Sequence, residues 1–549
     1  MFDFNNLTMY QAVRKAALEY PRGIAIHYRG TNISYRKFLK LVDQTADIFY
    51  NVLGIRENDT ILVSQPNMPQ TLIIFYALNK IGAVSNFVHP FTPFNQIQSI
   101  IKKTNTKYSF LFEQRIAKEV EKYREVSERI YVTRIEDYLP CLENFIYHNF
   151  MNNKIRKKLG KYRDFKGFNY FHKLKPTGKG SPTADYKQGK CTVLLHSGST
   201  TGDPKTICLS DDAFNYIASI CDKITCLTPK QMEGAMMLAV LPSFHGFGLA
   251  MTMHCPLACK MGSVMVPKFT PKQVTKDLKK TKFIFACGVP TMYEKLFKYT
   301  PFLKNKNFKN IRACYCGGDA LKTSERDRIN QLFRDKGSVG RVLEGYGLTE
   351  CIAVNCVNTN EHHKYGSIGL PLEGAEFKIV DQNNNEVPRG TLGEIIIKSG
   401  SVMLGYYNDE ATTKKTIIDG WLHTGDLGYM DEEGYIFFKS RIKRVVKVSG
   451  VAVFPSEIER LIESMPQVSK ASAIEIPDPK LQSAIKVFVI ADYFDEEGMR
   501  REILETCRKY LIRWAVPKEI EFRKELPLTK LSKVDYRALQ EEENKKYNN

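Results

Sequence analysis

The sequence predicts an α/β protein: a large N-terminal domain with parallel-type sheets and a β-rich subdomain, then a small α+β C-terminal domain. Three observations predict it. At 549 residues the chain exceeds what one hydrophobic core usually supports, so at least two domains are expected. Short apolar runs alternate with helical patterns, the order that builds parallel sheets. After about residue 440 the pattern restarts and completes a compact unit of ordinary domain length.

The elements follow in chain order. Ser34 stands as N-cap before YRKFLKLVDQTADIFYNVLG, whose apolar spacing is helical and whose Gly54 closes it. DTILVSQ (59–65), PQTLIIFYALNKIG (69–82) and AVSNFVHP (83–90) read as strand, helix and strand. Residues 234–259 lack Lys, Arg, Asp and Glu and are long enough to imitate a membrane span. Pro242, His245, Gly246, Gly248 and Pro256 interrupt the stretch, so a buried strand and site loop is the better reading. FKIVD (377–381), GEIIIKSG (393–400) and GYIFFKS (434–440) form the β-rich piece. The last unit holds a helix at EIERLIESMP, strands at SAIEIP and KVFVIADYF, a charged helix near 496–513, and EIEFRKEL.

Composition bounds the function. Hydrophobic residues at 43% and charged residues at 26% exclude global disorder. The net charge of +20 favours polyanionic partners. Half of it lies in 151–190, where twelve Lys/Arg face two Asp within a basic insertion at about 141–190. Phe165, Phe168, Tyr170 and Phe171 are interleaved there, which leaves open a solvated insertion or a patch for a membrane surface or nucleic acid. The thirteen Cys form no zinc spacing and are expected to be reduced and mostly buried. The acidic start, without an apolar signal core, argues against secretion, so a cytoplasmic location is expected.

Four segments carry chemistry. In TVLLHSGSTTGDPKTICLS (192–210) an apolar strand runs into Ser197, Gly198, Ser199, Thr200, Thr201, Gly202 and Asp203, followed by Pro204 and Lys205. Backbone N–H groups, hydroxyls and an ammonium together suit phosphate oxygens, although neither the Walker loop nor G-x-G-x-x-G is present. In RVLEGYGLTECIAV (341–354), Gly345 and Gly347 bracket Tyr346 on an expected tight turn. Thr349 and Glu350 add a hydroxyl and a carboxylate, so the segment offers an aromatic face for a base and a hard oxygen for Mg²⁺. WLHTGDLGYMDEEGYIFFKSRIKRVVKVSGVAVFPSEIE (421–459) places Asp426 among glycines and begins a cationic series at Arg441, Lys443, Arg444 and Lys447. ELPLTKLSKVDYRAL (525–539) carries Lys533 in a polar turn.

Taken together, these segments resemble the adenylate-forming superfamily, which includes acyl-CoA synthetases, aryl-CoA ligases, luciferases and peptide-synthetase adenylation domains. HSGSTTGDPK (196–205), LPSFHGFGL (241–249), GVPTMYEKL (288–296), CGGDAL (316–321), EGYGLTE (344–350), TGDLG (424–428), the basic stretch 440–450 and LPLTKLSKVD (526–535) match in family order. The likeness spans about residues 8–540 and is closest to acyl-CoA synthetases. It implies a domain 1–439 and a mobile C-terminal lid 440–549. It places ATP phosphates over Ser197, Gly198, Ser199, Thr200, Thr201, Gly202 and Lys205. It places adenine by Gly317, Gly318, Asp319 and Tyr346, phosphate by Thr349, Mg²⁺ on Glu350, and ribose on Asp426 with Arg441 alongside. Lys533 resembles the lid lysine of adenylation. Lys443 resembles the hinge, about which the Lys447–Gly450 stretch swings in for thioester formation. Ser199, Ser440 and Ser532 depart from the family by standing where Gly is common.

No Asp or Glu occurs from 243 to 250, so a substrate ammonium would be buried unpaired and an α-amino acid is disfavoured. A carboxylic acid with an apolar tail, fatty or aryl, is expected. His245 matches the residue beside the carboxylate, and Phe247, Val289 and Tyr315 are the pocket candidates. CoA is the expected acceptor, because polyanionic CoA suits Lys443, Arg444 and Lys447 near Gly450. A ligase loading an acidic carrier protein is the first alternative, and the short stretch 358–372 argues against it. The second is an inactive ligase fold that binds an anionic surface. Peripheral membrane contact is compatible with activity, and nucleic acid is disfavoured.

Overall fold

The computed structural model describes residues 2–151, 153–161, 168–197, 205–318, 321–492, 495–529 and 534–547. The alternating pattern forms two large sheets. The first runs Leu370–Pro371, Cys356–Val357, Arg341–Tyr346, Ala313–Cys316, Phe285–Gly288, Met236–Ala239, Gly262–Met265, Ile24–Tyr28, Thr31–Ser34, and is parallel from Arg341–Tyr346 through Ile24–Tyr28. The second runs Gly405–Tyr406, Thr206–Ser210, Cys191–His196, Val84–Phe87, Thr60–Ser64, Tyr108–Phe112, Arg129–Thr133, Phe168–Tyr170. It is parallel from Cys191–His196 onward and antiparallel at the other edge.

Helices cover the faces of these sheets. Pro69–Lys80 is buried at every position, as expected of a helix apolar all round. Its one cation, Lys80, meets Asp43 at 2.7 Å. The expected cap at Ser34 is present: its Oγ accepts from the Lys37 N–H at 3.3 Å, and Gly54 closes the run at φ +76°. Such a cap contributes about 1 kcal/mol.

The uncharged stretch 234–259 is interior, with Met236–Ala239 as a central strand and Cys255–Ala258 as a buried helix. Among the described residues no helix is long and apolar enough to cross a membrane. In the basic insertion the lysines at 157, 158 and 161 are exposed, but Phe168, Tyr170 and Phe171 are not surface groups. Phe168 and Tyr170 lie on an edge strand parallel to Arg129–Thr133 and are buried with Phe171. These aromatics extend the core and are not surface stacking platforms. Phe165 lies outside the described residues.

A β-rich sheet joins Glu376–Val380, Gly393–Lys398, Trp421–Met430, Ile417–Ile418 and Ile436–Arg441, at the three segments expected. Beyond it Val468–Asp478, Gln482–Ala491 and Glu519–Phe522 form a separate sheet. Its helices Pro455–Glu463 and Glu496–Tyr510 complete a core drawn only from residues between Val446 and Phe522. Polar bonds link this small domain to the large one: Lys322 Nζ donates to Val468 O at 2.8 Å, and Lys439 Nζ to Glu457 at 2.9 Å.

All thirteen cysteines are free, and nine of them are buried. Cys221, Cys255 and Cys259 bring their sulfurs within 4.8 Å of one another in the interior. Buried His254 and half-buried His196 are held neutral. His254 Nδ1 lies 3.0 Å from the Tyr76 hydroxyl and Nε2 3.0 Å from Asn215 Oδ1, so a ring carrying its proton on Nε2 satisfies both. His196 Nε2 lies 2.7 Å from Asn86 Oδ1. Burial pulls both rings down to about 3.

The unfolded chain then takes up protons near pH ~6.5 that the native rings refuse, so each ring's contribution is whole above that pH and is lost as pH falls below it. Asp211, pushed up to about 6, and Glu113, pushed up to about 9, act in the opposite sense because burial favours their neutral forms. The informative comparison is therefore with His254→Asn. Denaturant titrations from about pH 6.5 to 5 should show the parent's stability advantage shrinking, at up to ~1.4 kcal/mol per pH unit. A pH-independent gap would refute the assignment.

Candidate active site

Four neighbouring parallel strands of the nine-stranded sheet end at one edge. Met236–Ala239 leads into 241–249, Phe285–Gly288 into 289–290, Ala313–Cys316 into Gly317 and Gly318, and Arg341–Tyr346 into Thr349 and Glu350. Carboxyl ends of parallel strands are where open α/β sheets form crevices.

Tyr346 is the last residue of a strand and does not sit on the tight turn expected from its flanking glycines. Its hydroxyl donates to Asp426 Oδ2 at 2.6 Å. Asp426, 1% exposed, sits on Trp421–Met430 opposite Arg441 in the β-rich sheet. Burial pushes its carboxyl above the usual carboxylate range, while the Arg441 guanidinium and Tyr346 hydroxyl pull it down. Arg441 Nε approaches Oδ1 to 3.2 Å, but that buried oxygen has no aligned hydrogen-bond donor. The site therefore keeps one acceptor for a ligand hydroxyl.

Glu350 receives the Tyr406 hydroxyl on Oε1 at 3.0 Å. Tyr406 belongs to Gly405–Tyr406, the edge strand of the eight-stranded sheet, paired with Ile207. Lys205 Nζ stands 4.4 Å from the centre of the Tyr406 ring. Ser197 and Lys205 face each other at the open end of the hairpin formed by Cys191–His196 and Thr206–Ser210. Ser197 N donates to Lys205 O at 2.9 Å, and Lys205 N to Ser197 Oγ at 3.1 Å. The ends of the expected phosphate loop are thus joined beside Glu350. Gly198, Ser199, Thr200, Thr201 and Gly202 lie outside the described residues, as do Asp319, Ser532 and Lys533.

Close backbone packing explains two of the glycines. A Cβ on Gly246 would overlap the Ile352 carbonyl, and one on Gly347 the Ala353 carbonyl. The loop bearing His245 and the loop bearing Glu350 are therefore interlocked. Ile352 is held at φ +61°, a strained conformation for a β-branched residue. His245 Nδ1 accepts from Phe247 N at 3.3 Å and caps Gly246–Leu249. Phe247 lies against Gly317, Tyr315 is buried with its hydroxyl on Ile224 O at 2.7 Å, and Val289 is partly buried.

Lys443 and Lys447 are exposed on the small-domain side, and Gly450, at φ +81° beside Ser449 at +48°, forms the hairpin tip between Val446–Val448 and Val451–Val453. Ser440 is buried in a strand and is not among the residues with positive φ, so the departure from Gly costs no backbone strain there.

Sequence reasoning missed Tyr406, Thr424, Glu394 and Asn67. Thr424 Oγ1 donates to Ile395 O at 2.6 Å and accepts from Asp426 N at 3.1 Å, while Glu394 accepts from Gly425 N at 2.9 Å. Together they set the Asp426 turn. Asn67 Nδ2 bonds Ala239 O and Leu241 O at 3.0 and 2.9 Å, which clamps the start of the His245 loop. Thr424 opens the matched TGDLG and Glu394 lies in the strand GEIIIKSG, though neither is singled out by its pattern; for Tyr406 and Asn67 a polar side chain in GYYNDE or SQPNMP is the signal.

The described residues thus bring to one edge a tyrosine ring, a buried carboxylate bonded to its hydroxyl, a second carboxylate oriented by Tyr406, and Lys205 beside that tyrosine. The model of the AMP-binding enzyme family matches residues 13–407, and that of the AMP-binding enzyme C-terminal domain matches 457–533. The chain belongs to the AMP-binding enzyme family. It is 28% identical over 545 residues to a long-chain-fatty-acid–CoA ligase of Bacillus subtilis (strain 168), covering 98% of this chain and 95% of the relative. It is also 28% identical to a probable 4-coumarate–CoA ligase 3 of Dictyostelium discoideum, over 86% of this chain and 82% of that one. Among solved structures, the anthranilate CoA ligase AuaEII in complex with anthranoyl-AMP superposes with a TM-score of 0.81 at 20% identity, covering 98% and 97% of the two chains. ATP-bound MatB from Rhodopseudomonas palustris gives 0.81 at 22%, covering 97% and 98%.

Asp426→Asn keeps the side-chain shape and removes the charge. It should weaken ATP binding about 10- to 100-fold, the range for a hydrogen bond to a charged group, with the thermal midpoint little changed. Calorimetric titration reads this directly, and unchanged affinity would remove Asp426 from the site.

Proposed function

We infer that this protein is an ATP-dependent, AMP-forming acid:CoA ligase, which activates a fatty or aryl acid as its acyl-adenylate and passes the acyl group to CoA. The observation that carries this is the buried Asp426 carboxylate, held by the Tyr346 hydroxyl on Oδ2 and ion-paired to Arg441 at Oδ1, an oxygen that still lacks a hydrogen-bond donor. A ribose hydroxyl on Asp426, with Arg441 beside it, sets adenine against Tyr346, Gly317, Gly318 and Asp319. The triphosphate then runs past Thr349 toward Ser197, Gly198, Ser199, Thr200, Thr201, Gly202 and Lys205.

Glu350 offers a hard, partly exposed carboxylate already oriented by Tyr406, and such a group fits Mg²⁺, which keeps waters and phosphate oxygens as its other ligands. When bound, Mg²⁺ offsets charge on the phosphates. Lys205 contributes a fixed ammonium, and Lys533 delivers a second from the small domain. Both counter the repulsion between carboxylate and α-phosphate. His245, held by its cap bond, stands in the loop beside the acid.

The small domain, 440–549, turns on the large one, 1–439, about Lys443. Its separate core and polar contacts support that motion. Rotation withdraws Lys533 and brings the Lys447–Gly450 hairpin to the site for attack by the CoA thiolate. The long-chain ligases among its relatives support an acid with an apolar tail, and the absence of Asp and Glu from 243–250 agrees. The thirteen free thiols suit a reducing, cytoplasmic location.

Pyrophosphate release across acids of graded chain length, with and without CoA, tests the reaction. Release should show a chain-length optimum, and thioester should form with CoA alone. A requirement for an acidic carrier protein would shift the acceptor, and no release with any acid would overturn the proposal. Lys533→Ala should slow adenylation about 10²- to 10³-fold while a supplied acyl-adenylate is still converted to thioester. Equal adenylation rates would exclude the lid lysine.

A further inference from the structure

Three large apolar side chains stand together in solvent. Leu142, Phe145 and Ile146 are 72%, 61% and 43% exposed. They fall at i, i+3 and i+4 of the helix Cys141–Ile146 and so share one face. The opposite face is the one tied to the protein: Asn144 Nδ2 donates to Glu136 O at 2.6 Å. Glu143 meets Arg29 at 3.6 Å, and Arg29 also lies over the Tyr147 ring. This helix is amphipathic in the inverse sense, with its polar side inward and its apolar side in water.

The helix that follows, Asn153–Gly160, is anchored differently. Leu159 is fully buried and Ile155 packs beside it, four residues apart, against the cluster that includes Ile97, Ile130 and Phe168. Lys157 and Lys158, and Lys161 just beyond, are therefore turned out and exposed. A fourth cation comes from the helix Pro271–Thr281: Lys280 Nζ and the Pro140 ring both lie against Gly30. Glu143, already paired with Arg29, is the only acidic residue from 141 to 161.

We propose that the face built by Leu142, Phe145 and Ile146, with Lys157, Lys158 and Lys161, docks the protein on an anionic lipid bilayer. An exposed apolar wedge followed along the chain by exposed lysines matches the boundary between acyl chains and anionic headgroups, where each part is satisfied at once. A second copy would bring like charge against like charge. Nucleic acid would leave the wedge in water. The association is weak and reversible, since three side chains and a few lysines carry it. The proposal deepens the acid-ligase reading and rests on it for its purpose: acids with apolar tails partition into bilayers, and docking sets the enzyme where they are concentrated.

The test is co-sedimentation of the full chain with phosphatidylcholine vesicles, with and without phosphatidylglycerol, for the parent, a Leu142→Ser/Phe145→Ser/Ile146→Ser variant and a Lys157→Glu/Lys158→Glu variant. The parent should bind only the anionic vesicles and release in high salt. Each lysine near such a surface is worth about fivefold in partitioning, so the charge variant should bind more than ~25-fold more weakly. The apolar variant should lose at least ~tenfold. Thermal midpoints and pyrophosphate release with a short, water-soluble acid should match the parent in both. The proposal is overturned if the parent ignores anionic vesicles or if either variant binds as the parent does. It is also overturned if the apolar variant instead abolishes self-association or duplex binding. Vesicle binding as expected without pyrophosphate release from any acid would sink the ligase reading and leave the docking surface intact, so the two fail separately.

Discussion

Two hydroxyl-to-carboxylate hydrogen bonds hold this site together, Tyr406 to Glu350 and Tyr346 to Asp426. Each crosses from one sheet to another. The first joins the eight-stranded sheet to the nine-stranded one, and the second joins the nine-stranded sheet to the β-rich sheet. Burial makes both phenols strongly reluctant to ionise, so each remains a donor across the physiological range. A carboxylate in such a place needs a donor because its desolvation would otherwise be uncompensated. The same bonds that relieve this cost therefore also orient the two carboxylates and tie segments of three sheets to one another.

The packing of the His245 and Glu350 loops adds to those ties. Gly246 lies against the Ile352 carbonyl of the other loop, and Gly347 against Ala353 within its own, so the two loops pack backbone to backbone. The unfavourable φ at Ile352 is tolerated because the surrounding backbone leaves it no other position. Asn67 and Thr424 perform the same service at the two ends of the crevice, since each ties a turn to a neighbouring strand.

Much of the fold and of the crevice is legible in the order of the amino acids. Apolar alternation locates the strands because burial on both faces of a parallel sheet demands continuous apolar runs. The motif loops are legible because runs of glycines and hydroxyls there stand out from the apolar strands that lead into them. Tyr406 is not, because its partnership with Glu350 depends on strand pairing with Ile207, some two hundred positions away, and nothing in GYYNDE announces it. The insertion misleads in an instructive way. Its aromatics, taken with the neighbouring charge, point to a surface, yet Phe168, Tyr170 and Phe171 are interior. The exposed apolar residues lie earlier, at Leu142, Phe145 and Ile146, where a three-residue helical spacing is too short to distinguish an outward face from an inward one.

The order of the strands along the chain also governs when the crevice first exists. The residues that frame it enter in sequence as Lys205, Tyr346, Glu350, Tyr406, Asp426 and Arg441. A polypeptide emerging from the ribosome can pair its early strands and bury the helix Pro69–Lys80 while Tyr406 and Asp426, the partners of Glu350 and Tyr346, are still unmade. Until Arg441 has cleared the exit tunnel, the nascent fold has sheets and a core but no completed cleft, and so binding competence arrives as one of the last events of vectorial synthesis.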